Sequence, residues 1–128
     1  MAITFGKTIP ILRMFNVEKA REFYVEYLGF QVDWEHKFAD VAPIYMQVSR
    51  AGLVLHLSEH YGDGTPGSHV YVQMEGVQAY HRELTAKNYG YFRPGLERTP
   101  WNTLSMSLTD PFGNALRFNE PLKEQREL

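Results

Sequence analysis

Cysteine is absent from the 128 residues. That excludes disulfides, thiolate metal ligands and a cysteine nucleophile. No apolar run reaches the ~20 residues that a membrane-spanning helix needs. The opening MAITFGKTIP lacks a basic start, an apolar stretch and a small-residue cleavage site, so a cytoplasmic location is expected. An excess of one charge is lacking too. Thirteen basic and 15 acidic residues leave a net −2, which gives no electrostatic reason to expect nucleic acid or an anionic membrane as partner. There is no Gly-rich phosphate loop and no nucleophile elbow. Aromatics, by contrast, are plentiful. Eight Tyr, eight Phe and two Trp accompany a hydrophobic content of 44%, which suits a core of large side chains or an aromatic-lined pocket.

The chain weakly repeats itself. Met14 falls on Met74, Val17 on Val77, Met46 on Met106 and Val48 on Leu108 at an offset of 60. Gly29, Gly52, Leu55, Leu57 and Glu59 fall on Gly90, Gly113, Leu116, Phe118 and Glu120 at 61. Such self-similarity sets the architecture, so it precedes any other assignment. Each half reads strand, helix, then three strands.

In the first half Thr8 to Met14 is a short apolar strand. Asn16 is placed to cap a helix by accepting from a free backbone N–H. Val17, Ala20, Phe23, Tyr24, Tyr27 and Leu28 recur at helical steps, and Gly29 supplies a left-handed stop. Strands follow at Phe30 to Lys37, Ile44 to Arg50 and Leu53 to Glu59. The segment YGDGTPG, residues 61–67, is the strongest linker signal. The pattern then restarts: a strand at His69 to Met74, a helix bearing Val77, Tyr80, His81 and Leu84, and strands at 91–94, Leu104 to Thr109 and Ala115 to Asn119. This gives module one over 1–60, module two over 68–120 and a charged tail over 121–128. Neither βαβββ unit can bury its sheet alone. The expected architecture is therefore a single α+β domain of two tandem βαβββ modules whose strands line a cleft.

The run N-V-x-K-A-R-E-F-Y-x-x-x-L-G-F beginning at Asn16 and the D-P-F-G-N turn at 110–114 resemble the vicinal-oxygen-chelate (glyoxalase/bleomycin-resistance/dioxygenase) superfamily over roughly residues 8–120. Ile-Pro-Ile-Leu before the first helix, the 33–38 segment and Thr-Pro-Trp at 99–101 are most similar to its bleomycin-resistance members. The resemblance implies a homodimer with clefts where modules of two chains meet. It also implies that the first strand can exchange between subunits. Pro10, which fixes φ and lacks an N–H, either bends that arm outward or sits on an edge strand.

Enzymes of the superfamily place metal ligands on the first and last strands of each module. The internal alignment maps those positions to Ile9, His56, His69 and Arg117. Isoleucine has no ligand atom, and arginine is a permanent cation. His56 and His69 remain as weak metal candidates, short of the three or four protein ligands of zinc sites and of the two-His-one-carboxylate iron site. No metal and no cofactor is expected.

Binding must then rest on shape and stacking. In the resistance group, aromatics at positions matching Phe38 and Trp101 clamp the flat tail of the drug. Tyr45, His56, His69, Tyr71 and Arg117 are further candidates for ligand contact. Two departures weigh against a strict match: the net charge of −2 is low for a binder of a cationic drug, and Asn102 stands where the group has glycine. The expected function is metal-free sequestration of a bleomycin-like glycopeptide, without catalysis. The alternatives are a metal-dependent lyase or dioxygenase of the same fold, and a binder of an unrelated small metabolite.

Overall fold

In the computed structural model, residues 2–37, 43–90 and 92–123 are described. Phe38, a site candidate by sequence, lies outside the described residues. Each repeat forms its own four-stranded sheet. The first contains β1 (Ile11–Arg13), β2 (Gln31–Lys37), β3 (Ile44–Arg50) and β4 (Leu53–Ser58), in the order β1-β4-β3-β2. The second contains β5 (His69–Gln73), β6 (Gly95–Arg98), β7 (Thr103–Thr109) and β8 (Ala115–Pro121), in the order β5-β8-β7-β6. In both, the opening strand lies parallel to the closing one and the other pairs are antiparallel.

The repeat extends to single hydrogen bonds. Met14 N–H donates to Ser58 O at 2.8 Å, and Met74 N–H donates to Asn119 O at 2.9 Å. The two-module α+β architecture read from the self-alignment is the one observed.

Local chemistry explains the first helix. Asn16 accepts from Lys19 N–H at 2.9 Å, which satisfies one of the free donors of the first turn. After Val17–Ala20, called α1, the helix widens over Arg21–Tyr27. Leu28 N–H reaches back to Phe23 O and Phe30 N–H to Tyr24 O, both at 2.9 Å. Gly29 ends it at φ 83°. The helix α2 (Val77–Lys87) begins without a Ser or Asp cap. Glu120 substitutes for one: its Oε1 accepts from Gly76 and Val77 N–H, each at 3.1 Å.

The sequence and the structure part at three boundaries. The first strand opens at Ile11, not Thr8, and Pro10 O accepts from His56 N–H at 3.0 Å. Pro10 thus enters an edge strand, where its missing N–H costs no ladder bond. The sixth strand lies at Gly95–Arg98, four residues beyond the expected 91–94. Pro94 cannot donate to a ladder, and pairing of Leu96 with Met106 turns Leu96 toward the core. The last strand runs on through Pro121, so that residue, expected in the tail, belongs to the sheet.

Phe23, Tyr24, Tyr27 and Leu28 from the first helix, Met46, Val48, Leu55 and Leu57 from the first sheet, and Leu84, Met106, Leu116 and Phe118 from the second module share one core. Each such side chain contributes ~1.5–3 kcal/mol by leaving water. Polar contacts tie the modules together. Arg50 pairs with both carboxylate oxygens of Glu83 at 2.8 and 2.9 Å, and Tyr80 donates to Leu28 O at 2.7 Å. Among the described residues no helix is long and apolar enough to cross a membrane.

Candidate functional site

Each sheet turns one face to the core and leaves the other open. On β3, Met46 and Val48 are fully buried, while Tyr45, Gln47 and Ser49 alternate to the other side. On β4, Leu55 and Leu57 face inward, and His56 shares the open side with Tyr45 and Gln47.

β2 reaches this open face in an unusual way. Val32 pairs with Val48, but the next partner, Gln47, faces Trp34 across a bulge that accommodates Asp33. A bulge re-aims side chains. Here Asp33 and Trp34 both reach the open face, where simple alternation from Val32 would send Trp34 into the core. The outcome is a tier of rings. Trp34, 43% exposed, lies nearly parallel to Tyr45 (6.0 Å between centroids, 9°). His56 meets Trp34 edge-on at 5.3 Å and Tyr45 at 5.1 Å. An open hollow of about 570 Å³ is lined by Trp34, Glu35, His36 and Tyr45.

Beneath the rings runs a polar chain. Asp33 Oδ2 accepts from Gln47 Nε2 at 2.9 Å, and Asp33 Oδ1 accepts from Ser49 Oγ at 3.0 Å. Those bonds, from Gln47 first and Ser49 next, hold the Asp33 carboxyl below its ordinary 3.8. Gln47 Oε1 faces His56 Nε2 at 2.9 Å, and His56 Nδ1 faces Tyr45 Oη at 2.7 Å. Burial lowers the His56 pKa from 6.5 and raises that of Tyr45, with the Asp63 charge adding to the latter.

The other candidates lie on the second sheet. Tyr71, 52% exposed, is paired directly with Arg117. His69 lies one side-chain step along the same face, opposite Ala115. Among the described residues no ion pair holds Arg117: Glu59 accepts from Ile44 N–H, and Glu120 caps α2. Trp101, 63% exposed, stands at the tip of the β6–β7 hairpin. That tip is tied by its own bonds: Thr99 N–H donates to Thr103 O, Thr99 and Thr103 hydroxyls bond at 2.7 Å, and Asn102 adopts φ 67°. Asparagine tolerates this left-handed conformation, so Asn102 does what a glycine would do there.

The structure therefore brings Tyr45 and His56 together on sheet one, and Tyr71, His69 and Arg117 together on sheet two. Trp34 and Gln47 are the residues that sequence reasoning missed. Gln47 could have been found from its alternation with Tyr45. Trp34 could not, because no residue in its segment announces the bulge.

A metal does not fit these residues. The ladder puts Ile11 beside His56 and Tyr71 beside Arg117. Both His56 nitrogens already have partners. Among the described residues no three His, Asp or Glu side chains gather as a ligand set.

The family model described as "Glyoxalase superfamily protein" matches residues 1–125. No curated protein matches the chain. Among solved structures, TnmS3, an antibiotic binding protein from Streptomyces sp. CB03234, superposes with a TM-score of 0.73 at 25% identity, covering 94% of this chain and 98% of that one. A bleomycin-binding protein complexed with bleomycin has a TM-score of 0.69 at 23% identity, covering 94% of this chain and 100% of that one. The bleomycin resistance determinant encoded on transposon Tn5 has a TM-score of 0.70 at 22% identity, covering 91% and 98%.

Proposed function

Since the chain belongs to the glyoxalase superfamily, we propose that it is a binding protein that sequesters a flat, cationic, bleomycin-like glycopeptide rather than transforming it. The observation that carries this reading is the ring tier of Trp34, Tyr45 and His56 on an open sheet face. It offers π surface to a planar ligand, and its imidazole nitrogens are committed to neighbours instead of a metal. Stacking of a flat cation on such rings is favourable by ~0.5–2 kcal/mol per contact. The likeness to an antibiotic binding protein and to a bleomycin-binding protein supports it.

Two copies complete the site in this reading. Within one chain, both open faces expose large aromatics on separate sheets: Trp34 on the first, Tyr71 and Trp101 on the second. Apolar surface of that kind favours association. Pairing sheet one of one subunit with sheet two of another forms a cleft with Trp101 as its outer clamp.

Calorimetric titration with metal-free bleomycin, at low and moderate salt, tests the function. The expected result is saturation at one drug per subunit, weakened ~tenfold by Trp101→Ala. Absence of heat at both salts rejects the drug. A second reading, sequestration of another flat metabolite with an anionic group, is favoured by the net charge of only −2 and by Arg117, which makes no ion pair among the described residues.

A further inference from the structure

The chain Asp33–Gln47–His56–Tyr45 has a direction, and that direction determines what Tyr45 offers a ligand. An ionised carboxylate only accepts, so the Gln47 atom facing Asp33 is the amide nitrogen, at 2.9 Å. Gln47 Oε1 then faces His56 Nε2 at 2.9 Å, and an oxygen without hydrogen requires Nε2 to donate. In a neutral ring the remaining nitrogen, Nδ1, is an acceptor. Tyr45 Oη, 2.7 Å away, must spend its only hydrogen on it. What remains on Tyr45 toward the open face is a pair of lone pairs.

We propose that this chain makes Tyr45 an obligate hydrogen-bond acceptor, so that the first-sheet face selects ligands presenting an N–H donor, above all a protonated amine, over ligands presenting only acceptors. The inference deepens the binding function proposed above and rests on the open face being a ligand site. Gln47 and His56 act as positioning residues, and Tyr45 is the group that meets the ligand. The parallel rings of Trp34 and Tyr45 and the ionised Asp33 favour the same cationic class.

Protonation of His56 reverses the direction. Nδ1–H would then donate to Tyr45 Oη, and the Tyr45 hydrogen would turn outward as a donor. The groups facing His56 are Tyr45 on β3 and, through Gln47, Asp33 on β2. Ile11 lies beside it on β1, with Arg13 next on the same face. His36 pairs with Tyr45, and Asp63 and His60 lie beyond Tyr45. Preference for a donor ligand is therefore present when His56 is neutral and lost as pH falls through its pKa, which burial holds below 6.5.

Two measurements on the full chain test this. The first needs no ligand: nitrogen-15 NMR of the imidazoles. The expected result is the Nε2–H tautomer for His56, with Nδ1 shifted toward a free acceptor in Tyr45→Phe. An Nδ1–H tautomer, or no response to Tyr45→Phe, overturns the proposal. The second compares tryptamine with indole-3-propionate, which share an indole and differ in the charged group. Tryptamine is expected to shift the Trp34 and Tyr45 signals at a concentration at least fivefold lower, with the preference lost at low pH and in Tyr45→Phe. Equal response, reversed preference or no response to either probe overturns it. Neither probe is bleomycin, so a failure of the drug to bind leaves this result standing, and the converse holds.

Discussion

The Tyr24 hydroxyl donates to Asp110 Oδ2 at 2.6 Å across 86 residues of chain. This one bond joins the helix motif of the first module to the D-P-F-G-N turn of the second. Asp110 also accepts from Phe112 N–H, Asn114 N–H and Asn114 Nδ2, at 2.8, 2.8 and 2.9 Å. The two motifs that look most like a family signature thus meet as one buried clamp, and their chemistry is structural. Burial comes first among the causes that push the Tyr24 pKa well up, ahead of Asp110, and the hydroxyl stays protonated as the donor. Tyr24→Phe is expected to cost ~1–3 kcal/mol, because it strips a donor from a buried carboxylate. Urea denaturation checks it, and an unchanged midpoint would refute the clamp.

Gly29 offers a second stability test. It sits at φ 83°, and a Cβ there would lie 2.6 Å from Arg50 Nη1. Gly29→Ala therefore combines backbone strain with a push on the Arg50–Glu83 pair. A loss of ~1–2 kcal/mol is expected, read as a lower Tm.

The Arg50–Glu83 pair gives a pH dependence. Hydrogen bonds from Arg50 lead the causes that depress the Glu83 carboxyl below its ordinary 4.5. A depressed acid stabilises the fold fully above its unfolded value and loses that contribution as pH falls through the folded one. Wild type should therefore lose stability below about pH 4.5 by a component that Glu83→Gln lacks. Both side chains are over a third exposed, so solvent screening limits the effect to ~1 kcal/mol or less. Titrating Tm in both proteins separates the component.

Trp34→Ala and Trp101→Ala should act on binding rather than on folding. Both rings are exposed, and their removal opens no internal cavity. Each variant is expected to unfold within ~1 kcal/mol of wild type while losing about tenfold in affinity for a stacked ligand. Equal affinity in Trp34→Ala would exclude the first-sheet face from the site.

The fold was legible because the sequence states it twice. Met14 and Met74, read as equivalent from spacing alone, make equivalent hydrogen bonds. The Asn16 cap and Gly29 stop were legible because each solves a local backbone problem with one residue type. The sixth strand was misplaced because Arg93-Pro94 follow directly on aromatic residues. Only pairing of Leu96 with Met106 shows which residues join the ladder. For the site, His56 and Tyr45 could be named separately. Their union with Trp34 depends on a bulge that leaves no mark in composition or periodicity.

That bulge has a consequence for how such a surface is acquired. In a regular strand only every second side chain meets a ligand, so neighbouring contacts stand ~7 Å apart. At Asp33–Trp34 two successive residues share one cross-strand address, and a carboxylate and an indole occupy the space usually given to one group. The pairs on either side, Val32 with Val48 and Glu35 with Met46, both keep the inward sense of the buried Val48 and Met46. A single inserted codon at this point adds a charge beside the ring while leaving the rest of the strand facing as before. The open face can gain chemistry without the core having to be redesigned.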